Sequence, residues 1–224
     1  MKIKLPLHIL KKIGKVKVGE TTQQTLSVSS PPLSPQIQQQ LSSKSTDALI
    51  KSLSAKDPFV RAISCEVLGK MKEKKAVKQI MLLMKDPSKY VREKAAIALG
   101  QIGDKRAVPV LVEAINDEAE EVRVTVAGVL GHLRDKIAVP ALIKTLEDPS
   151  PTARMKAAIS LGLIGDPQAI PYLFKALKDP HELVRRYACE ALGNIGRPAI
   201  PALLLALKDE NIRAHAAQVL TKIK

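Results

Sequence analysis

The stretch EALGNIGRPAIP, residues 190–201, occurs twice more in nearly the same words: IALGQIGDKRAVP at 97–109 and ISLGLIGDPQAIP at 159–171. Recurrence at a fixed period marks a chain built from one structural unit repeated in file. Laid against itself at an offset of 31, the sequence aligns Arg61, Arg92, Arg123, Arg154 and Arg185, and likewise Gly69, Gly100, Gly131, Gly162 and Gly193. Each of those glycines follows a leucine: Leu68, Leu99, Leu130, Leu161 and Leu192. A sixth, shortened copy puts Arg213 and Leu220 in the same roles. The units begin near residues 45, 76, 107, 138, 169 and 199 and fill the chain from 45 to 224.

Within a unit the apolar spacing is helical, twice over. In AVPALIKTLE, residues 138–147, Val139, Leu142, Ile143 and Leu146 share one face, and the following DPS stops the helix. A second helix over about 152–164 places Ala153, Ala157, Ala158, Leu161 and Ile164 together, and Gly165 closes it. Such a hairpin has one apolar face too many, which only a neighbouring hairpin covers. The expected fold is all-α, an α-solenoid of six two-helix repeats. Composition agrees: 46% of the residues are hydrophobic, yet there are only two Phe, three Tyr and no Trp, so the core is built from small aliphatic side chains. Glycine inside the second helix costs about 1 kcal/mol relative to alanine. Close approach of the next unit would offset that, and the last unit, with no successor, has Thr221 there.

AVPVLVEAINDEAEEVRVTVAGVLG, residues 107–131, and its siblings resemble HEAT repeats of the short, 31-residue type named after phycobilisome bilin lyases. The resemblance covers all six units. It implies an armadillo-like superhelix with first helices on the convex side and second helices lining a concave surface. It leaves function open, because one repeat serves scaffolds, lyases and metalloenzymes.

The repeated positions are accounted for by stacking, so recognition falls to the variable ones. The arginines, with an Asp six residues before four of them (Asp86, Asp117, Asp148, Asp179), form an expected structural ladder of Arg61, Arg92, Arg123, Arg154, Arg185 and Arg213 tying loops together. Around each Arg, the variable offsets on the face opposite the core carry Phe59, Ile63, Tyr90, Ile97, Val124, Met155, Ile159, Leu163, Leu183 and Tyr187, with charges such as Lys94 and Arg186 among them. A contiguous apolar surface of this kind is a candidate partner-binding groove.

Charge separates between the two edges. Loops joining units hold Lys72, Lys74, Lys75, Lys105, Arg106, Arg134, Lys136 and Arg197; loops within units hold Asp86, Asp117, Glu118, Glu120, Asp148, Asp179, Glu182 and Asp209. One rim is expected to be basic and the other acidic. The net charge is +14, and residues 1–44 contribute seven Lys against one Glu. Residues 1–18 form a basic tail, and 19–44 a Ser/Gln/Pro-rich linker with a short capping helix expected at about 35–43. Basic rim and tail make nucleic acid or an anionic membrane surface an alternative partner.

Enzymatic readings find little support in the residues. Deoxyhypusine hydroxylases, built on similar repeats, hold iron with His-Glu pairs just after the arginines; here those sites read Ala62-Ile63, Glu93-Lys94, Val124-Thr125, Met155-Lys156, Arg186-Tyr187 and Ala214-His215. No catalytic residue, metal or cofactor is assigned. Cys65 and Cys189 stand where other units have Ala, four units apart, and read as inert thiols. No apolar run reaches the roughly 18 residues of a membrane span. The expectation is a cytoplasmic, noncatalytic scaffold that binds a protein partner along its second-helix face. It would be a monomer or a weak homo-oligomer, since Leu82 and Leu205 are apolar on first helices. The bilin-lyase resemblance implies the alternative of binding or transferring an open-chain tetrapyrrole.

Overall fold

The computed structural model describes residues 45–223, all of whose regular elements are helical. The basic tail, the linker and the expected capping helix lie outside the described residues. Twelve α-helices follow in order: α1 (45–52), α2 (Pro58–Lys70), α3 (Val77–Leu82), α4 (Lys89–Ile102), α5 (Val108–Ala114) and α6 (Glu120–Leu133). The second half repeats the scheme with α7 (Val139–Thr145), α8 (Pro151–Ile164), α9 (Ile170–Ala176), α10 (Glu182–Ile195), α11 (Ile200–Ala206) and α12 (Arg213–Leu220).

Local chemistry sets the boundaries. From α3 on, a single 3-10 turn introduces each first helix, and the side chains of Glu73, Asp104, Asp135 and Asp166 accept the amides of Lys75, Arg106, Ile137 and Gln168 there. Pro109, Pro140, Pro171 and Pro201 follow at the second helical position, where a missing N–H leaves no acceptor unsatisfied. At the other loop, Asp86, Asp117, Asp148 and Asp179 accept the amides two residues on, those of Ser88, Ala119, Ser150 and His181.

Each second helix packs on the second helix before it and the one after, so the hairpins stack in file. The leucines that precede the repeated glycines (Leu68, Leu99, Leu130, Leu161, Leu192) are fully buried, as are Leu111, Leu142, Leu173 and Leu203 of the first helices. The glycines mark the closest approach between layers. A Cβ on Gly131 would stand 2.7 Å from the Cα of Ser160, and one on Gly162 would stand 2.8 Å from the Cα of Ala191. Helix propensity is given up so that backbones can meet. Across the same joint, the Ser160 hydroxyl donates to the Ala127 carbonyl at 2.7 Å.

Candidate protein-binding face

The repeated arginines sit in the first turn of each second helix, beside the loop that joins it to the first helix. In the first four units the guanidinium grips the aspartate of the following unit through two atoms: Arg61 to Asp86, Arg92 to Asp117, Arg123 to Asp148 and Arg154 to Asp179, with Nε donating at 2.7 Å in every case. Nη2 of each donates to the second carboxylate oxygen at 2.8 to 3.1 Å. Nη1 turns back to a carbonyl of its own loop, that of Ala55, Asp86, Asp117 or Asp148, at 2.8 to 2.9 Å. The aspartate six residues before an arginine thus lends it only a carbonyl, while its carboxylate serves the arginine of the unit before.

This geometry corrects two expectations. Asp86, Asp117, Asp148 and Asp179 do not charge an acidic rim; their side chains are only 4 to 9% exposed and are neutralised within the ladder. Burial pushes these carboxyls up, but the facing guanidinium and the capped amide outweigh it and hold all four below the usual aspartate value. The ladder also stops short of six equal rungs. Arg185 keeps its bond to the Asp179 carbonyl at 2.8 Å, but its buried Nε has no partner. Arg213 binds only the Leu207 carbonyl, at 2.9 Å. The sixth unit has four residues from Asp209 to Arg213 where earlier units have six, and Asp209 caps the Asn211 amide instead.

On the second-helix face, Phe59, Tyr90 and Leu183 are exposed (49, 41 and 38%). Ile63, Lys94, Ile97, Val124, Met155, Ile159, Leu163, Arg186 and Tyr187 are half-buried, with Ile63 and Tyr187 resting on the core. Two cation–aromatic pairs stand three units apart. Lys94 lies 5.5 Å from the Tyr90 ring centre and 3.2 Å from Glu66; Arg186 lies 4.9 Å from the Tyr187 ring centre and donates to its hydroxyl at 3.2 Å. The Arg186 Nε is buried and unpartnered. Between them the face is more polar, with Thr125, Gly128 and Lys156 in the middle units.

The other layer carries apolar surface too. Leu82 and Leu205 are 74 and 53% exposed, as their sequence context suggests, and Tyr172, Leu204 and Ile137 join them. Tyr172 borders an open cleft of about 350 Å³ with Ile143, Leu146 and Lys175. The signal for Tyr172 was present: it stands in α9 where α5, α7 and α11 have Val110, Ala141 and Ala202. Both thiols are buried, and burial pushes Cys65 up to about 12 and Cys189 to about 11, so neither is a nucleophile at neutral pH. Among the described residues no group of three or more His, Cys, Asp or Glu is placed to hold a metal, and no helix is long and apolar enough to cross a membrane.

The family profile for HEAT repeats matches residues 46–123, 111–184 and 170–224. The chain belongs to the HEAT-repeat family. No curated protein is a significant match to this HEAT-repeat chain. Among solved structures it is similar to the complex of CpcE and CpcF of phycocyanin lyase from Nostoc sp. PCC7120, at 26% identity and a TM-score of 0.62, over 90% of this chain and 81% of that one. It is also similar to Escherichia coli YibA (23% identity, TM-score 0.63, covering 82% of this chain and 69% of that one). A designed armadillo repeat protein in complex with the peptide (KR)4 matches at 19% identity and a TM-score of 0.58, over 79% of this chain and 98% of that one. The last two likenesses bear on the fold alone.

Proposed function

We propose that this HEAT-repeat protein is a noncatalytic scaffold that holds a protein partner along the second-helix face. The observation that carries the reading is the pair of cation–aromatic clusters three units apart, Tyr90 with Lys94, where the ring is exposed, and Tyr187 with Arg186, both half-buried. Stacking explains the arginines, leucines and glycines of the repeat but asks nothing of these residues. Aromatic and arginine side chains flanked by aliphatic ones are the usual anchors of a protein interface. The similar structures include a two-protein complex, which agrees with a partner-binding role. The test compares affinity capture by the wild type with capture by a Tyr90→Ala, Tyr187→Ala double variant of equal thermal stability. Loss of a specific partner from the variant is expected; equal recovery of every partner would remove the groove from consideration.

A second reading rests on the likeness to phycocyanin lyase across nine-tenths of the chain. In it the same face binds an open-chain tetrapyrrole against Tyr90, Tyr187 and Arg186. Mixing the protein with phycocyanobilin and recording visible absorption separates the two: a spectral shift lost in the double variant supports the chromophore, and an unshifted spectrum eliminates it.

A further inference from the structure

The turns that join one unit to the next all lie at one edge of the stack, at the C-terminal ends of the second helices and opposite the arginine ladder. At the first three of these joints the edge carries Lys72, Lys74, Lys75, Lys105, Arg106, Arg134 and Lys136 against three carboxylates, Glu73, Asp104 and Asp135. Those carboxylates accept the amides of their own turns. The cations point outward: all seven are exposed, and only Arg106, to Asp104, and Lys136, to Asp166 at 3.4 Å, make an ion pair. The fourth joint, Asp166-Pro167-Gln168, has no cation at all. The charge is a feature of the N-terminal half of the edge, not of the repeat.

Two further observations mark the same joints. Where the second and fourth units end their second helices in Gly103 and Gly165 (φ 75° and 72°), the first and third place Lys72 and Arg134 in the left-handed region, at φ 53° and 50°. Side chains other than Gly, Asn and Asp rarely take that conformation. Cations are favoured beside a helix C-terminus, which accounts for their sign. Next to them stand apolar side chains that the described residues leave exposed: Met71 is 39% exposed, and Ile137, at the tip of its turn between Lys136 and Ala138, is 62% exposed. The residues equivalent to Ile137 in the neighbouring units are Arg106 and Gln168.

We infer that this edge docks on an anionic lipid surface, its lysines and arginines at the level of the headgroups and Met71 and Ile137 entering the layer beneath. Cations beside isolated aliphatic tips suit a membrane interface, where charge attracts and apolar side chains hold. A nucleic-acid strand would reward aromatic platforms, and the chain's five aromatics (Phe59, Tyr90, Tyr172, Phe174, Tyr187) all lie on helices away from these turns. Successive joints are about 10 Å apart, so three of them present a contact line on the order of 20 Å.

The test uses full-length protein and vesicles of phosphatidylcholine alone or mixed with phosphatidylglycerol. Each basic side chain near an anionic leaflet contributes roughly fivefold to partitioning. A Lys72→Gln, Lys74→Gln, Lys75→Gln, Arg134→Gln variant should therefore sediment with the mixed vesicles at least about tenfold more weakly than wild type. The basic tail is controlled by repeating the comparison in a full-length background carrying glutamine for Lys2, Lys4, Lys11, Lys12, Lys15 and Lys17; the rim-dependent drop should persist there. Because the chain has no Trp, Ile137→Trp supplies a single fluorophore, and its emission should shift to the blue on anionic vesicles only. Equal sedimentation of rim variant and parent in the tail-neutral background overturns the proposal, as does an unshifted emission at position 137. Tighter retention of an oligonucleotide than of vesicles, lost with the same four substitutions, overturns it in favour of nucleic acid.

Discussion

Arg92 and Asp117 belong to successive units, 25 residues apart in sequence, and meet through two hydrogen bonds of 2.7 and 2.8 Å with both side chains more than nine-tenths buried. The same guanidinium donates to the Asp86 carbonyl at 2.9 Å. One side chain therefore joins the loop of its own unit to that of the next, and Asp86 in turn receives Arg61. Loops that carry few apolar contacts of their own are fixed at the spacing the helices dictate.

Removing one partner of such a pair leaves an uncompensated charge out of water. Asp117→Ala should lower unfolding free energy by about 3 kcal/mol. Asp209→Ala, which frees no arginine, should change it by less than about 1 kcal/mol. Denaturant titration followed by circular dichroism measures both. Equal losses would mean that the ladder contributes no more than an isolated loop cap.

The ladder also sets the acid limit of the fold. Asp86, Asp117, Asp148 and Asp179 titrate lower in the folded chain than in the unfolded one, so folding is favoured by their ionised form. That stabilisation is complete above the ordinary aspartate value of about 3.9 and is lost as pH falls through the depressed folded values. Melting temperature should be insensitive to these groups at neutral pH and drop steeply below about pH 4. An Asp117→Asn, Asp148→Asn variant, already destabilised at pH 7, should show a shallower acid slope.

Two glycines of α6 make opposite predictions. A Cβ on Gly131 would meet the Ser160 backbone at 2.7 Å, whereas the nearest atom to one on Gly128 is Lys156 Cδ at 4.0 Å. Gly131→Ala should destabilise by about 2 kcal/mol because two layers must separate. Gly128→Ala should stabilise by up to about 1 kcal/mol through helix propensity alone. Thermal denaturation of the two variants distinguishes a packing requirement from a helix preference.

Cys65 and Cys189 should be silent toward a thiol reagent in the native protein at pH 8. Burial holds them at about 12 and about 11, far from the thiolate, and neither side chain reaches solvent. Both should react at once in denaturant. Labelling of either in the folded state would show that its unit opens locally.

Most of the fold could be read from a single offset, because a repeated unit must meet its own copy with the same residues each time. The columns of Leu and Gly announced the buried seam, and at Gly69, Gly131 and Gly162 it leaves no room for a Cβ against the backbone of the next layer. The arginine column was equally visible, but its partners were not. The aspartate nearest in sequence, six residues back, offers only a carbonyl, and the carboxylate that matters lies 25 residues on, a pairing created by stacking itself. Exposure on the variable columns was legible only as a direction. Ile159 and Tyr187 lie on the second-helix face, yet how far the neighbouring helices cover them depends on the rotation between layers, which the spacing of residues does not encode. Tyr172 lies on a first helix, outside the offsets counted from the arginines, although a ring among Val110, Ala141 and Ala202 stands out.

Arg185, whose Nε finds no carboxylate, marks the joint among the described repeats at which the arginine–aspartate clamp is missing. Stiffness in a pile of plates is decided joint by joint, so flexure gathers where the ionic clamp is missing. The sixth plate is thus the one least firmly indexed to its neighbour, while the five before it are clamped in register.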